Sequence, residues 1–149
     1  MKSDSPKGFR PEGWKHFTLD EMIHSDTADR FGIDNTPTSD VIDNLDRLVA
    51  RVLDRLRDEW NHPIIVTSGY RCKELNTAVG GTRNSQHLKG QAADIVSDDF
   101  EAFRRFVSRW CKDNEFDQCI FEHGGGREWI HISYVEGRNR KQIIDLPVG

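Results

Sequence analysis

Hydrophobic residues recur at spacings of three and four between residues 41 and 60, which is the period of one face of an α-helix. Charged residues fill the positions between them, Thr38 or Ser39 can cap the start, and Pro63 prevents continuation. The pattern predicts an amphipathic helix that packs its apolar face against the core. That face is formed by Val41, Ile42, Leu45, Leu48, Val49, Val52, Leu53, Leu56 and Trp60.

Three further helices are predicted from shorter signals. The sequence Thr18-Leu-Asp-Glu21 has the capping-box pattern and predicts a helix to about Ala28. Residues 71–79 form a short helical segment that ends at two glycines. Ser97-Asp-Asp99 can cap a helix whose inward face is aromatic. The residues of that face are Phe100, Phe103, Phe106, Val107 and Trp110.

Short runs rich in β-branched and aromatic residues predict the strands. They cover residues 64–67, 92–96, 116–121, 129–134 and 142–146. The third and fourth runs are joined across Gly124-Gly-Gly126, which favours an antiparallel hairpin. Together these elements predict an α+β fold, in which helices pack on a small, mostly antiparallel sheet.

Composition supports one globular domain, which we place at residues 15–149 after an irregular N-terminal arm at residues 1–14. Of the 149 residues, 36% are hydrophobic and 31% charged, and the net charge is -4, so neither nucleic acid nor membrane is an expected partner. We expect a monomer. The first 13 residues lack the apolar run of a signal peptide, which favours a protein that is kept in the cytoplasm, that leaves by a route the sequence does not show, or whose leader was removed.

The three cysteines, Cys72, Cys111 and Cys119, lack the paired spacing of a zinc ribbon. An odd number of cysteines also makes a disulfide framework a poor explanation. We therefore interpret all three as buried free thiols. A disulfide between Cys111 and Cys119 stays an open alternative.

Two candidate ligand residues lie in the stretch Ser85-Gln-His-Leu-Lys-Gly-Gln-Ala-Ala-Asp94, where a histidine and an aspartate are separated by small residues. On the later strand, alternation places His131 on the same side as Trp129 and Ser133. Two imidazoles and one carboxylate around an open fourth position are typical of a catalytic zinc site. The spacing therefore makes His87, Asp94 and His131 a candidate ligand set, with hydrogen-bonded structural roles as the alternative.

These motifs resemble the zinc D-alanyl-D-alanine peptidases of the M15 family. The ten-residue stretch at 85–94 matches their S-x-H-x-x-G-x-A-x-D signature. The S-G-Y-R at 68–71, the L-N-x-A-V-G-G at 75–81 and the W-I-H-I-S at 129–133 follow in the expected order. The resemblance extends from about residue 15 to 135, and is strongest to the compact single-domain branch of bacteria and phages. It implies a protein that is cytoplasmic or phage-released and that acts on the cell wall.

The resemblance implies one zinc ion held by His87, Asp94 and His131, and hydrolysis of peptidoglycan stem peptides next to D-amino acids. It implies that Glu128, in the E-x-x-H spacing, is the general base, with Glu122 as the reserve choice. Strand alternation would separate Glu128 from His131 unless a bend, bulge or strand end intervenes. For Arg71 the resemblance implies stabilisation of the oxyanion, with binding of a substrate carboxylate as a second use.

For Ser85 the resemblance implies a hydrogen bond to substrate. A surface salt bridge for Arg71 and a loop cap for Ser85 are the structural alternatives. Three other functions stay open. They are cleavage of an L-Ala-D-Glu or cross-bridge bond, a zinc-stabilised binding module without catalysis as in hedgehog-type relatives, and a plain structural domain.

Overall fold

The computed structural model describes residues 8–147, and its centre is a five-stranded mixed sheet. The strands are β1 (Ile65–Ser68), β2 (Ala92–Val96), β3 (Gln118–Gly124), β4 (Arg127–Ser133) and β5 (Gln142–Pro147), in the order β1-β2-β4-β3-β5. All pairings are antiparallel except that of β5, which runs parallel to β3. The predicted α+β fold with a mostly antiparallel sheet is confirmed, with this one parallel edge.

The helices are short, apart from two amphipathic segments that cover the sheet. They are α1 (Leu19–Ile23), α2 (Asp26–Phe31), α3 (Ser39–Leu48), α4 (Asp54–Trp60), α5 (Lys73–Ala78) and α6 (Phe100–Asp113). A turn of π-helix at Val49–Leu53 joins α3 to α4, and a 3-10 turn spans Gln86–Lys89. None of the helices within residues 8–147 has the length and apolarity required to span a bilayer.

One face of the sheet forms the core and the other carries the polar candidate residues. Ile95 pairs with Ile130, which pairs on its other side with Phe121, and these side chains are buried against the helices. Because alternate residues of a strand point to opposite faces, the residues between them lie on the second face. That face carries Asp94 and His131.

The predicted first helix is broken in two. The capping box is confirmed, since the backbone N–H of Glu21 donates to Thr18 Oγ1 at 3.2 Å and the Thr18 N–H donates to Glu21 Oε1 at 2.9 Å. The helix ends at Ile23, and Ser25 starts α2 by accepting a hydrogen bond from the backbone N–H of Ala28. A second good cap therefore ended the run that the sequence predicted as one helix.

The hairpin is tighter than predicted. Gly124 pairs with Arg127, so only Gly125 and Gly126 form the turn, and both have positive φ angles, 57° and 76°. Two left-handed residues are what a two-residue type I′ connection requires. The hairpin strands therefore begin and end a few residues from the predicted bounds.

Thr38 rather than Ser39 caps α3, through the Val41 N–H. Residues 8–14 of the predicted arm form neither helix nor strand, and residues 1–7 lie outside the described part of the chain. Trp14 is nevertheless 6% exposed and donates its indole N–H to Asp46 at 2.6 Å.

Cys111 and Cys119 are buried free thiols, and a hydrogen bond between the Cys119 thiol and Cys111, together with burial, raises the pKa of Cys119. Cys72 differs from the prediction, since it is only partly buried, and its sulfur caps α5 by accepting the N–H of Leu75.

Candidate metal centre

Sheet register brings two of the predicted ligands together. Asp94 on β2 and His131 on β4 are directly paired, so their side chains share a face, and His131 Nδ1 lies 3.2 Å from Asp94 Oδ1. His87 reaches the same oxygen from the 3-10 turn before β2, with its Nε2 at 3.3 Å. The three side chains thus converge although 44 residues of sequence separate His87 from His131.

The ring of His87 is fixed in one orientation by the S-G-Y-R segment. His87 is 2% exposed, and its Nδ1 lies 2.7 Å from the carbonyl oxygen of Gly69. A carbonyl only accepts hydrogen bonds, so Nδ1 donates to it and Nε2 is the ring nitrogen that faces Asp94. A ligand histidine typically binds a backbone carbonyl in this way through its second nitrogen.

The donor set fits a zinc ion. A tetrahedral zinc ion with bonds of about 2.0–2.1 Å places its ligand atoms roughly 3.3–3.4 Å apart. The distances of 3.2 and 3.3 Å from Asp94 to the two histidines agree with this separation. Burial alone would raise the pKa of Asp94, but hydrogen bonding and the charges of His131 and His87 hold it well below its usual value. The carboxylate is therefore ionised, as a ligand must be.

Small residues in the signature allow the turn to approach its neighbours. Gly90 ends the 3-10 turn with a φ of 72°, and a Cβ atom there would lie 2.9 Å from Val41 on α3. Ala92 and Ala93 are fully buried at the start of β2. We predicted His87 and Asp94 to be oriented by this small-residue segment, and the structure gives the specific reason at Gly90, which has a left-handed backbone and a helix against it.

Arg71 lies beside this cluster without an ion-pair partner among the described residues. Its Nη2 donates to Ser85 Oγ at 3.4 Å, and its Nε has no hydrogen-bond partner among the protein atoms described. Burial lowers the pKa of Arg71, while the charges of Asp94 and Glu122 oppose that shift. A partly buried guanidinium with free donors is suited to bind an anion.

Ser85 has a local structural contact as well as a place near Arg71. Its hydroxyl caps the 3-10 turn by accepting the backbone N–H of His87 at 3.2 Å. The loop cap, which is the structural alternative for Ser85, is therefore present. The contact with Arg71 does not test the predicted hydrogen bond from Ser85 to substrate, which stays a prediction.

A groove of about 790 Å³ lies beside Asp94, which is the one candidate ligand among its lining residues. Arg71 and Asp94 line it, the junction of α1 and α2 at His24–Thr27 forms one wall, and the hairpin end at Arg127–Trp129 forms another. The guanidinium of Arg127 stacks over the Trp129 ring at 5.7 Å. A short peptide segment therefore has a polar groove that leads to the candidate ligands.

The two candidate bases occupy different positions. Glu128 pairs with His123 next to the turn, so the register assigns it to the opposite face from His131, yet it is exposed and is among the residues that line the groove. Glu122 pairs with Trp129 and shares the face of His131. Burial and the charge of Asp94 raise the pKa of Glu122, against the opposing effect of His131. The strand register favours Glu122 and the position on the groove favours Glu128, so both carboxylates stay candidates for the general base.

Sequence reasoning missed Asn35, which holds the segment that carries Arg71. Asn35 is 8% exposed, and its amide donates to the carbonyls of Ile23 and Tyr70 at 2.8 and 2.9 Å. Its Oδ1 accepts the N–H of Cys72 at 2.7 Å. Bonds on both sides of Arg71 fix the backbone there, and no local sequence pattern signals contacts over 12 to 37 residues of separation.

Comparison with known proteins gives one family. No curated protein matches this chain. The family model described as Peptidase M15 matches residues 15–133, which includes all four motifs and every candidate site residue. Because this match covers most of the chain, the protein belongs to the peptidase M15 family.

Proposed function

We propose that this protein is a zinc-dependent peptidase that hydrolyses bonds next to D-amino acids in peptidoglycan stem peptides, as a D-Ala-D-Ala carboxypeptidase does. The observation that carries the proposal is the convergence of His87, Asp94 and His131 at zinc-like separations beside the groove. Membership of the M15 family supports a peptidase. The order and spacing of the motifs support the substrate class.

His87 Nε2, Asp94 Oδ1 and His131 Nδ1 would hold the ion. A zinc ion supplies Lewis acidity, which lowers the pKa of water and polarises a carbonyl. The hydrogen bond between His87 and Gly69 keeps the ligand nitrogen aimed at the site before substrate arrives. Three protein ligands would leave one position for the reacting groups, as in catalytic zinc sites generally.

Arg71 would stabilise negative charge during the reaction. Its guanidinium is partly buried next to Asp94 and has no competing ion pair among residues 8–147. It can therefore bind the developing oxyanion or the terminal carboxylate of the substrate. The second use favours a substrate that ends near the metal, which is the reason for proposing a carboxypeptidase first.

Glu128 would accept the proton of the attacking water and return it to the leaving amine. Its position at the hairpin end of β4, on the groove, supports this role. Glu122 is the alternative, because it shares a face with His131 and is partly buried. Glutamine keeps the size of either side chain while it removes the proton acceptor.

The test is hydrolysis of a muropeptide pentapeptide that ends in D-Ala-D-Ala, followed by mass spectrometry with and without zinc. We expect zinc-dependent loss of one alanine. Glu128→Gln should lower kcat by about 100-fold or more if it is the proton acceptor, since general-base catalysis contributes ~10²–10⁴-fold. Glu122→Gln is the matched variant. A larger loss of kcat in Glu122→Gln than in Glu128→Gln would identify Glu122 as the general base.

The product mass also distinguishes the alternatives. Cleavage between L-Ala and D-Glu, or within a cross-bridge, would replace the carboxypeptidase with an endopeptidase. Binding of zinc and muropeptide without any product would support a binding module, and the absence of zinc binding would contradict the proposal.

A further inference from the structure

Asp117 is a fully buried carboxylate that has no role in the proposed chemistry. It lies just before β3 and is 0% exposed. Arg140 donates to it from the backbone N–H at 3.1 Å, from Nε at 2.9 Å and from Nη2 at 2.8 Å. Gln86 donates to it from Nε2 at 2.7 Å. A charge buried this deeply is retained only where such donors are fixed.

The two partners of Asp117 come from distant parts of the chain. Gln86 is the first residue of the 3-10 turn and directly precedes the ligand His87. Arg140 lies in the segment that leads from β4 into β5, beyond residue 133, where the family match ends. Asp117 therefore connects the ligand turn to a part of the chain outside the matched family region.

The backbone of Asp117 is itself anchored, so its carboxylate is a fixed point. Its N–H donates to the carbonyl of Ser133 at 2.8 Å, and its carbonyl accepts the N–H of Gln142 at 3.0 Å. By contrast, a 3-10 turn of four residues has weak hydrogen-bond geometry of its own. An external anchor can therefore decide how rigidly such a turn is held.

We propose that Arg140, Asp117 and Gln86 form a positioning chain that fixes the turn carrying His87 and so sets the metal affinity of the protein. The inference rests on the proposed function in one respect, the assignment of His87 as a ligand. Arg140 orients the carboxylate, the carboxylate orients Gln86, and Gln86 fixes the start of the turn. None of the three is proposed to touch substrate or metal, so they are positioning residues.

The first test is hydrogen exchange in the metal-free protein, which needs neither catalysis nor zinc. The reporters are the N–H groups of Leu88, Gly90 and Gln91, which donate to the carbonyls of the same turn. Arg140→Ala should accelerate exchange at these amides by about tenfold or more while the core amides of β2 and β4 stay protected.

Arg138→Ala is the matched control for this experiment. Arg138 is an exposed arginine of the same segment, and its side chain forms no hydrogen bond or ion pair within the described residues. It should leave the turn amides unchanged. Equal protection in Arg140→Ala and Arg138→Ala would overturn the inference, whatever the protein hydrolyses.

The second test measures binding of Zn²⁺ alone by competition with a chromophoric chelator. Supporting residues around metal ligands typically change affinity by about 10–100-fold. We expect Gln86→Met and Arg140→Ala to weaken binding within that range, and Arg140→Lys to restore part of it. In the cobalt-substituted protein the same variants should shift the visible absorption bands, which loss of a distant structural contact would not do.

These readouts separate the inference from the proposed function. Unchanged zinc affinity and an unchanged cobalt spectrum in Gln86→Met, with normal thermal unfolding, would contradict the positioning role while leaving the peptidase proposal intact. Loss of turn protection in Arg140→Ala without any peptidase activity in the unaltered protein would contradict the peptidase proposal and support the positioning chain.

Discussion

At the scale of single residues, the site depends on glycines that allow two segments to approach α1 and α3. A Cβ atom at Gly69 would collide with the carbonyl of Met22, and the N–H of Tyr70 donates to the same carbonyl at 2.7 Å. Gly90 has the double constraint of a positive φ and a close contact with Val41. Gly90 therefore accounts for one of the small residues between His87 and Asp94, and Gly69 accounts for the glycine of the S-G-Y-R motif.

Gly90→Ala should therefore destabilise the protein more than an ordinary glycine substitution. A left-handed alanine costs about 1–2 kcal/mol, and overpacking adds roughly 1–3 kcal/mol. Gly137→Ala is the matched control, because Gly137 has a similar φ of 76° and no atom within 4 Å of the added carbon. Urea unfolding of both variants measures the difference, and equal losses would show that the contact with α3 is unimportant.

The convergence of the three candidate ligands could be predicted from sequence, and the residues that support them could not. His87, Asp94 and His131 stand in a motif whose chemistry is specific, and strand alternation gives the correct face for His131. Asn35 and Asp117 are ordinary polar residues in the printed sequence. Their importance depends on burial and on partners 12 to 37 residues away, which only the folded chain reveals.

At the scale of elements, periodicity predicted the type of most segments, and cap and turn chemistry decided their ends. The α3–α4 region was predicted as one helix, and the structure adds a π turn that no hydrophobic pattern signals. The residues at the β5 edge are mostly exposed, so sequence alternation could not indicate which strand β5 would pair with. Asp117 joins three such elements, the ligand turn, β3 and the segment before β5.

The buried ion pair of Asp117 predicts a specific acid sensitivity. The hydrogen bonds from Arg140 lower its pKa from 3.8 to about 2. Because the folded pKa is below the unfolded value, the stabilisation is complete above about pH 4 and is lost as the pH falls toward 2, about 2 kcal/mol in total. Asp117→Asn should lack this loss when unfolding by urea is followed between pH 5 and 2.

Asp145→Asn is the control for that pH series. Asp145 pairs with Arg104 at 2.9 Å, but its side chain is 58% exposed, and exposed pairs contribute little. The unfolding free energy of Asp145→Asn should follow the same pH dependence as that of the unaltered protein. Parallel curves for Asp117→Asn and the unaltered protein would contradict the assigned role of the buried pair.

At the scale of the whole molecule, a ligand that binds only the folded state stabilises all of it. The three proposed zinc ligands come from the 3-10 turn, β2 and β4, and the histidine on β4 lies 37 residues from Asp94 in sequence. An unfolded chain therefore does not present them together. Zinc binding should therefore raise the free energy of unfolding of the whole protein.

Zinc at 100 times its dissociation constant should stabilise the protein by about 2.7 kcal/mol, which corresponds to roughly 5–11 °C in melting temperature for a chain of this size. A chelator should reverse the shift. Asp94→Asn removes a charged ligand while it keeps the side-chain volume, so it should melt at nearly the same temperature with and without zinc. A full zinc-dependent rise in that variant would exclude Asp94 as a ligand.

The S-G-Y-R segment and the ligand turn exchange hydrogen bonds, because Arg71 N–H donates to the carbonyl of His87 while His87 Nδ1 donates to Gly69. An anion that immobilises Arg71 therefore also restricts His87. Binding equilibria linked in this way are reciprocal. If a carboxylate compound raises the affinity for zinc by some factor, zinc raises the affinity for that compound by the same factor. A product that retains a terminal carboxylate would therefore bind the metal-loaded protein more tightly than the metal-free one.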